Sequence, residues 1–445
     1  MNDISLFWLR RDLRLSDNMG LYQALTYGLP VLPVFIFDAN ILSKLENKED
    51  ARVTFIFDQI SKLKSEISSI GGNLLVAYGN PVDVIDKITD NLRVKAVFTN
   101  KDYEPYAVQR DFDVKNRLFQ KAISFHSFKD HVIFEEKEIL SKSGGTPYTV
   151  FTPYSKSWKE KFYHSLQSAE DSALRNYHSF SLLKDNLLKA HIVQEPISLE
   201  SMSFKRSPLR IPPAHINLEL VKNYTQNRDF PYLNGTSRLG IHLRFGTIGI
   251  RELGREIFQI NETFLNELIW RDFYSQILFN FPFVERKSFK PNYDAIQWRN
   301  NREDFECWKS GNTGFPLVDA GMRELNATGF MHNRIRMLTA SFLTKNLLID
   351  WRWGEHYFAE KLLDFDLASN NGGWQWAAGS GTDAAPYFRI FSPEAQTLKF
   401  DSKYQYIKKW IPEFGTRQYA NPIIDIKKSK ERCLSAYQQA LKNNP

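Results

Sequence analysis

The feature that most constrains the fold is a change of hydrophobic period part-way along the chain. Up to residue 128, short apolar runs at 4–9, 31–37, 73–78, 94–99 and 123–128 read as strands. Helical patterns at 19–27, 51–70, 82–91 and 106–121 lie between them. Such alternation predicts a doubly wound parallel sheet with helices on both faces. From about residue 218 the strand signals stop, and helical spacing dominates at 264–279, 315–325, 333–345 and 355–363. The expected fold class is α/β plus all-α. Residues 1–131 form the α/β domain, 132–206 an interdomain linker, and 207–445 a helical domain. The linker is placed where periodicity weakens, between a Ser-Gly loop at 141–145 and the helix-breaking Pro208, Pro212 and Pro213.

A chain of 445 residues with 34 Phe, 19 Tyr and 10 Trp has ample material for large cores. Cys307 and Cys433 are far apart and in no metal-binding spacing, so a reducing compartment and no metal site are expected. The start has neither a basic leader nor a long apolar run, and no apolar run is long enough to span a bilayer. A cytoplasmic, monomeric protein is expected. A net charge of +7 is a mild invitation to a polyanion such as nucleic acid, although many proteins are equally basic.

Four stretches carry candidate chemistry. Residues 370–391, NNGGWQWAAGSGTDAAPYFRIF, set two indoles among Gly, Ala and Ser, where a flat ligand could approach closely. With Gly372, Gly373 and Gly379 this is poor material for ordinary helix. The run GTSRLG at 235–240 offers backbone N–H groups, two hydroxyls and a cation that suit a pyrophosphate, or else a helix cap. FLNELIWRDFY places Phe264, Glu267, Trp270 or Arg271, and Tyr274 along one helix side. Glu267 and Arg271 could equally be an i,i+4 surface pair. In MHNRIRM, Asn333 and Met337 face the same way, an amide edge reader beside a soft apolar contact, while Arg336 is offset. No G-x-G-x-x-G, Walker or Ser-His-Asp pattern is present.

These segments, with FWLRRDLRLSDN at the start and DFDLASNNGGWQWAAGSGTDAAPYFRIFSP near the end, closely resemble the DNA photolyase and cryptochrome flavoproteins over almost the whole chain. The last motif is most similar to class I cyclobutane pyrimidine dimer photolyases of microbes. The resemblance implies an N-terminal α/β domain, a linker and a helical domain holding a U-shaped FAD. It assigns Tyr224, Thr236, Ser237, Arg238, Leu239 and Gly240 to the cofactor phosphates, with Gly240 standing where the family usually has Ser. Phe264 takes a position where Trp is common, and Arg271, Arg336, Asp364, Phe365, Asp366 and Asn370 surround the cofactor. Asn370 would face the flavin N5, and Arg336 would pair with Asp364.

The same resemblance implies light-dependent repair of DNA. One electron would pass from excited reduced FAD to a cyclobutane dimer flipped out of the duplex. Glu267, Asn333 and Met337 would meet the dimer's bases, Trp270 and Trp376 would wall it, and Arg228, Arg334 and Gln396 would hold the DNA strand. Trp374, Trp351 and Trp298 would carry electrons to photo-oxidised flavin. The alternative is a cryptochrome photoreceptor without repair activity. A second, antenna chromophore is left open between deazaflavin, flavin, folate and an empty site. The folate-type Asn-Glu pair is replaced here by Asp102-Tyr103-Glu104, and the loop at 37–42 loosely resembles deazaflavin- or flavin-binding members.

Overall fold

Ile4–Leu9 forms β1, and all six of its residues are buried. In the computed structural model, which describes residues 3–142, 144–167, 180–189 and 195–442, β1 is the centre of a five-stranded sheet. Its partners are β2 (Val31–Asp38), β3 (Leu75–Gly79), β4 (Val94–Asn100) and β5 (Ser124–Phe128), in the order β3-β2-β1-β4-β5. Every pairing is parallel. The period-2 alternation of β1 sends Phe7 and Leu9 to one face, with Val31, Phe35 and Phe98, and Leu6 and Trp8 to the other, with Leu32, Val34 and Val97. Both faces are therefore apolar and covered, as a parallel sheet requires. The helices start where Asn and Asp side chains accept from free backbone N–H groups: Asn18, Asp50 and Asn80 each do so.

Two compact units emerge. One comprises Met1–Ile139, Ser157–His215 and Leu239–Phe258, and the other Leu140–Lys156, Ile216–Arg238 and Gln259–Pro445. The segment expected as a linker at 132–206 is thus shared between the units, and it contains a helix, Phe151–Gln167, where no helix is expected. Tyr154, Trp158 and Phe162 recur along it at a spacing of four, and all are buried. Tyr154 packs on Phe273 in the second unit, while Trp158 and Phe162 stack in the first, where Trp158 meets Phe134.

The second unit is helical. Its main core gathers Trp308, Leu317, Ile335, Leu343, Trp351, Phe358 and Trp374. The helix expected at 333–345 is α-helical over Asn333–Ser341 and continues as a π-helical turn, Phe342–Asn346. Such a turn inserts a residue into the register and re-aims the side chains beyond it. Among the described residues, no helix is long and apolar enough to cross a membrane.

Candidate active site

The site rests on two helices of the second unit, Glu262–Asn280 and Leu367–Ala378. The latter corrects one expectation. Helix runs straight through Gly372 and Gly373, and glycine is needed at 372 because that position lies against Tyr274, where a Cβ would be 2.2 Å from the ring. The glycine weakens the helix by itself but permits close approach of its neighbour. Asp366 caps the Leu367–Ala378 helix by accepting from Ser369 N at 3.1 Å, and Gly379, at φ 87°, ends it.

On the longer helix, Asn261 accepts from Phe264 N and fixes the first turn. Phe264 is buried edge-on against Tyr224, with centroids 5.0 Å apart. Glu267 finds its cation on another segment, in an ion pair with Arg228. Burial pushes the Glu267 carboxyl above the usual carboxylate range, against the pull of Arg228. Trp270 is half-buried. Its ring lies 5.4 Å from Tyr274 and is stacked face to face on Phe151 at 3.6 Å. Arg271 is also half-buried.

His332 caps the Asn333–Ser341 helix through Nδ1, which accepts from Arg334 N at 3.2 Å. Asn333 is exposed, and Arg334, Arg336 and Met337 are half-exposed on the following turn. Arg336 donates from one terminal nitrogen to both Asp364 oxygens, at 2.9 and 3.1 Å, and from Nε to Met331 O at 2.7 Å. That pair matches the expected one. Asn370 Nδ2 donates to both Glu355 O and Glu355 Oε1, at 3.1 and 2.8 Å. These contacts fix the amide orientation and leave its Oδ1 without a donor among the described residues. The Glu355 carboxyl is pushed up by burial, against the hydrogen bond from Asn370.

The run expected to grip phosphates is divided. Thr236 and Ser237 are half-exposed in the second unit, and Arg238 adopts φ 54° with its guanidinium 4.4 Å over the Phe330 ring. Leu239 and Gly240 fall in the first unit, where Leu239 is buried and Gly240 opens a short helix. Gln396 is half-exposed on the helix Pro393–Phe400, whose last residue lies under Arg334 at 4.5 Å.

The three expected electron carriers differ in exposure. Trp374 and Trp351 are buried, while Trp298 is half-exposed and packs edge-on against Tyr437 at 6.0 Å. Trp374 is held by Phe358 at 4.9 Å and Trp308 at 6.0 Å.

In the first unit, the charged loops at the carboxyl ends of β1 and β4 meet at the switch point of the sheet. Arg11 is bonded to Asp102 and Glu104 at 3.0 and 2.8 Å, Arg244 also binds Glu104, and Asn100 reaches Asp12 at 2.6 Å. Tyr106 donates to Asp38 at 2.7 Å and receives Asn40 Nδ2 at 3.2 Å, and burial pushes its hydroxyl up to about 12. Internal pairing therefore explains much of the charge in these loops.

Sequence reading missed Phe151, Asp229 and Glu355 at this site. Phe151 lay in the supposed linker, and Glu355 sits on a separate helix from Asn370, with no local signal of their pairing. Asp229 adjoins Arg228, so the alternation of charge was there to be read.

These groups fit a flavin dinucleotide. They offer a free amide oxygen for an N–H donor at Asn370, a paired Arg336–Asp364 edge, and hydroxyls with a cation at 236–238. The comparisons agree. The model of the FAD binding domain of DNA photolyase matches residues 264–418, and that of the DNA photolyase domain matches 5–171. A deoxyribodipyrimidine photo-lyase of Halobacterium salinarum is 34% identical, covering 98% of this chain and 99% of its own. A class III photolyase of Agrobacterium tumefaciens is 30% identical with a TM-score of 0.85, over 99% of this chain and 98% of its own. An archaeal photolyase of Sulfolobus tokodaii, solved with two FAD molecules, is 31% identical with a TM-score of 0.80, over 98% of this chain and 100% of its own. The chain belongs to the DNA photolyase family and carries that family's FAD-binding domain.

Proposed function

We propose that this protein is a deoxyribodipyrimidine photo-lyase that splits cyclobutane pyrimidine dimers in DNA under near-ultraviolet or blue light. The observation that carries the reading is the seating of Gly372 on Tyr274, which lays the helix of Asn370 and Trp376 against the helix of Glu267 and Trp270. Cofactor-type and base-type contacts thus come from the same pair of helices. When bound, reduced FAD would supply light-driven one-electron chemistry to the dimer. The cycle involves no net redox change and requires no hydrolytic base.

The residues of the chain bind, orient and exclude water. Asn370, oriented by Glu355, would turn its amide oxygen to a bound flavin, and the Arg336–Asp364 pair would offer one cation and one carboxylate to the ring's polar atoms. Tyr224, Thr236, Ser237 and Arg238 serve the phosphates. Arg271, Phe264, Phe365 and Asp366 complete the cofactor contacts offered by the second unit. A lesion stacked in a duplex must flip out to meet a protein-bound flavin, and its poor stacking lowers that cost. Trp270 and Trp376 offer apolar walls, and Glu267, Asn333 and Met337 would meet the base edges, the first two with polar groups and Met337 with a soft apolar contact. Arg228, Arg334 and Gln396 hold the strand. The motif WQWAAGSGTDAAPYFRIFSP supports placement with the class I enzymes.

The test uses FAD-loaded protein, chemically reduced, with a duplex containing one thymine dimer. Dimer loss on illumination and none in darkness is expected. Retained FAD without light-dependent dimer loss would replace this reading with a photoreceptor. The absorption spectrum of the same preparation shows whether a second chromophore accompanies FAD.

A further inference from the structure

Arg228 and Arg334, the two cations assigned to the DNA strand, are both already engaged by carboxylates of the protein. Asp229 Oδ1 lies 2.6 Å from a terminal nitrogen of Arg334 and 3.9 Å from Arg228 Nε. Arg228 is in turn ion-paired with Glu267. Charge alternates along Glu267, Arg228, Asp229 and Arg334 and sums to zero. Each guanidinium also has an aromatic seat, Arg228 over Tyr224 at 5.2 Å and Arg334 over Phe400 at 4.5 Å. The rings take the guanidinium faces, so the carboxylates and an incoming phosphate compete for the same N–H edges. The four side chains are 22–39% exposed, so these pairs are within reach of solvent and can exchange.

We propose that Asp229 is a positioning residue that latches both arginines away from undamaged DNA, and that the latch opens when Glu267 leaves Arg228 for the bases of a flipped lesion. This rests on the function proposed above. Undamaged duplex offers phosphates but no extruded base, so Glu267 stays on Arg228 and every phosphate must displace a carboxylate. A lesion gives Glu267 another partner. Arg228 then loses one of its two carboxylates, Asp229 is drawn toward it, and Arg334 is loosened in the same step. Occupation of the pocket thereby strengthens the grip on the backbone. Discrimination arises in part by weakening the wrong complex, without any base contact by Asp229.

The experiment compares wild type, Asp229→Asn and Asp229→Glu as FAD-loaded proteins. Fluorescence anisotropy over a salt series is measured with undamaged duplex and with the same duplex carrying one dimer. Asp229→Asn should bind undamaged DNA about three- to tenfold tighter at low salt, with the slope of log affinity against log salt steeper by about one. Its preference for the dimer should shrink correspondingly, and Asp229→Glu should restore it. Unchanged or weaker binding of undamaged DNA by Asp229→Asn, with an unaltered salt slope, would overturn the latch. So would equal weakening on both duplexes together with loss of FAD, the mark of a merely structural role. A wild type without preference for the dimer would overturn the reading of the site and the release step with it. The undamaged-DNA arm would still decide whether Asp229 restrains the two cations.

Discussion

The indole of Trp374 lies directly on the backbone of the adjacent helix at Gly354, where a Cβ would stand 2.1 Å from Cη2 and 2.4 Å from Cζ3. Neither atom belongs to a flexible side-chain end, since Trp374 is also held by Phe358 and Trp308. Gly354→Ala should therefore overpack the core, at a cost of about 1–3 kcal/mol. Denaturant unfolding of the FAD-loaded protein reads that cost, and the displaced indole should slow flavin photoreduction in the same sample. Wild-type values for both would show that Trp374 has room to move.

Trp374→Phe separates two uses of the site. On the proposal that Trp374 passes electrons to photo-oxidised flavin, as the family resemblance implies, removing the buried indole should slow photoreduction by at least about tenfold. Repair by chemically reduced protein should remain within about twofold, since Phe keeps most of the packing against Phe358 and Trp308. Equal loss of both activities would remove Trp374 from the electron path.

The five strands and their helices were legible because each face of the sheet repeats a simple period, as Leu6 and Trp8 against Phe7 and Leu9 show. Arg336–Asp364 was legible through the family resemblance, and the structure has that pair. What failed were judgements of local propensity and of long-range contact. Gly372 argued against helix, yet the glycine is there for packing inside a helix, since Tyr274 occupies the space that a side chain would need. Glu267 could have paired along its own helix with Arg271, but tertiary packing offered Arg228. The Phe151–Gln167 helix was hidden by its polar residues and a proline. Its signal was the fourfold spacing of Tyr154, Trp158 and Phe162.

His332 makes the stability of the helical unit depend on pH. Burial first, and then the positive charges of Arg336 and Arg334, push its imidazole down to about 4 from an ordinary 6.5, with Asp229 opposing. Because the folded value is depressed, folding favours the neutral ring. The contribution is complete above pH 6.5 and is lost as pH falls toward 4. The loss is on the order of 3 kcal/mol. A protonated Nδ1 would also cease to accept from Arg334 N. Denaturant unfolding of wild type and His332→Asn, which keeps a capping side chain, should diverge below pH 6.5, with wild type falling further. Parallel curves would contradict the assignment.

Phe151 backs Trp270 with its ring planes 1° from parallel and 3.6 Å between centroids, so one face of the indole is permanently covered. Phe273 closes the corner, edge-on to Trp270 at 5.6 Å and to Phe151 at 5.8 Å. On the proposed function, a flipped base would stack on the part of the indole that Phe151 leaves open, and the covered face gives the indole a rigid backing. Phe151→Ala should free the ring to tilt and open a cavity, for a destabilisation of about 3–5 kcal/mol in a buried setting and less at this half-exposed position. Binding of dimer-containing duplex should weaken by about tenfold while undamaged duplex, held through its phosphates, changes little. Phe151→Leu restores volume without a planar face and should recover stability more than lesion affinity. Recovery of both by Leu would mean that Phe151 only fills space, and that the plane of its ring has no part in presenting Trp270.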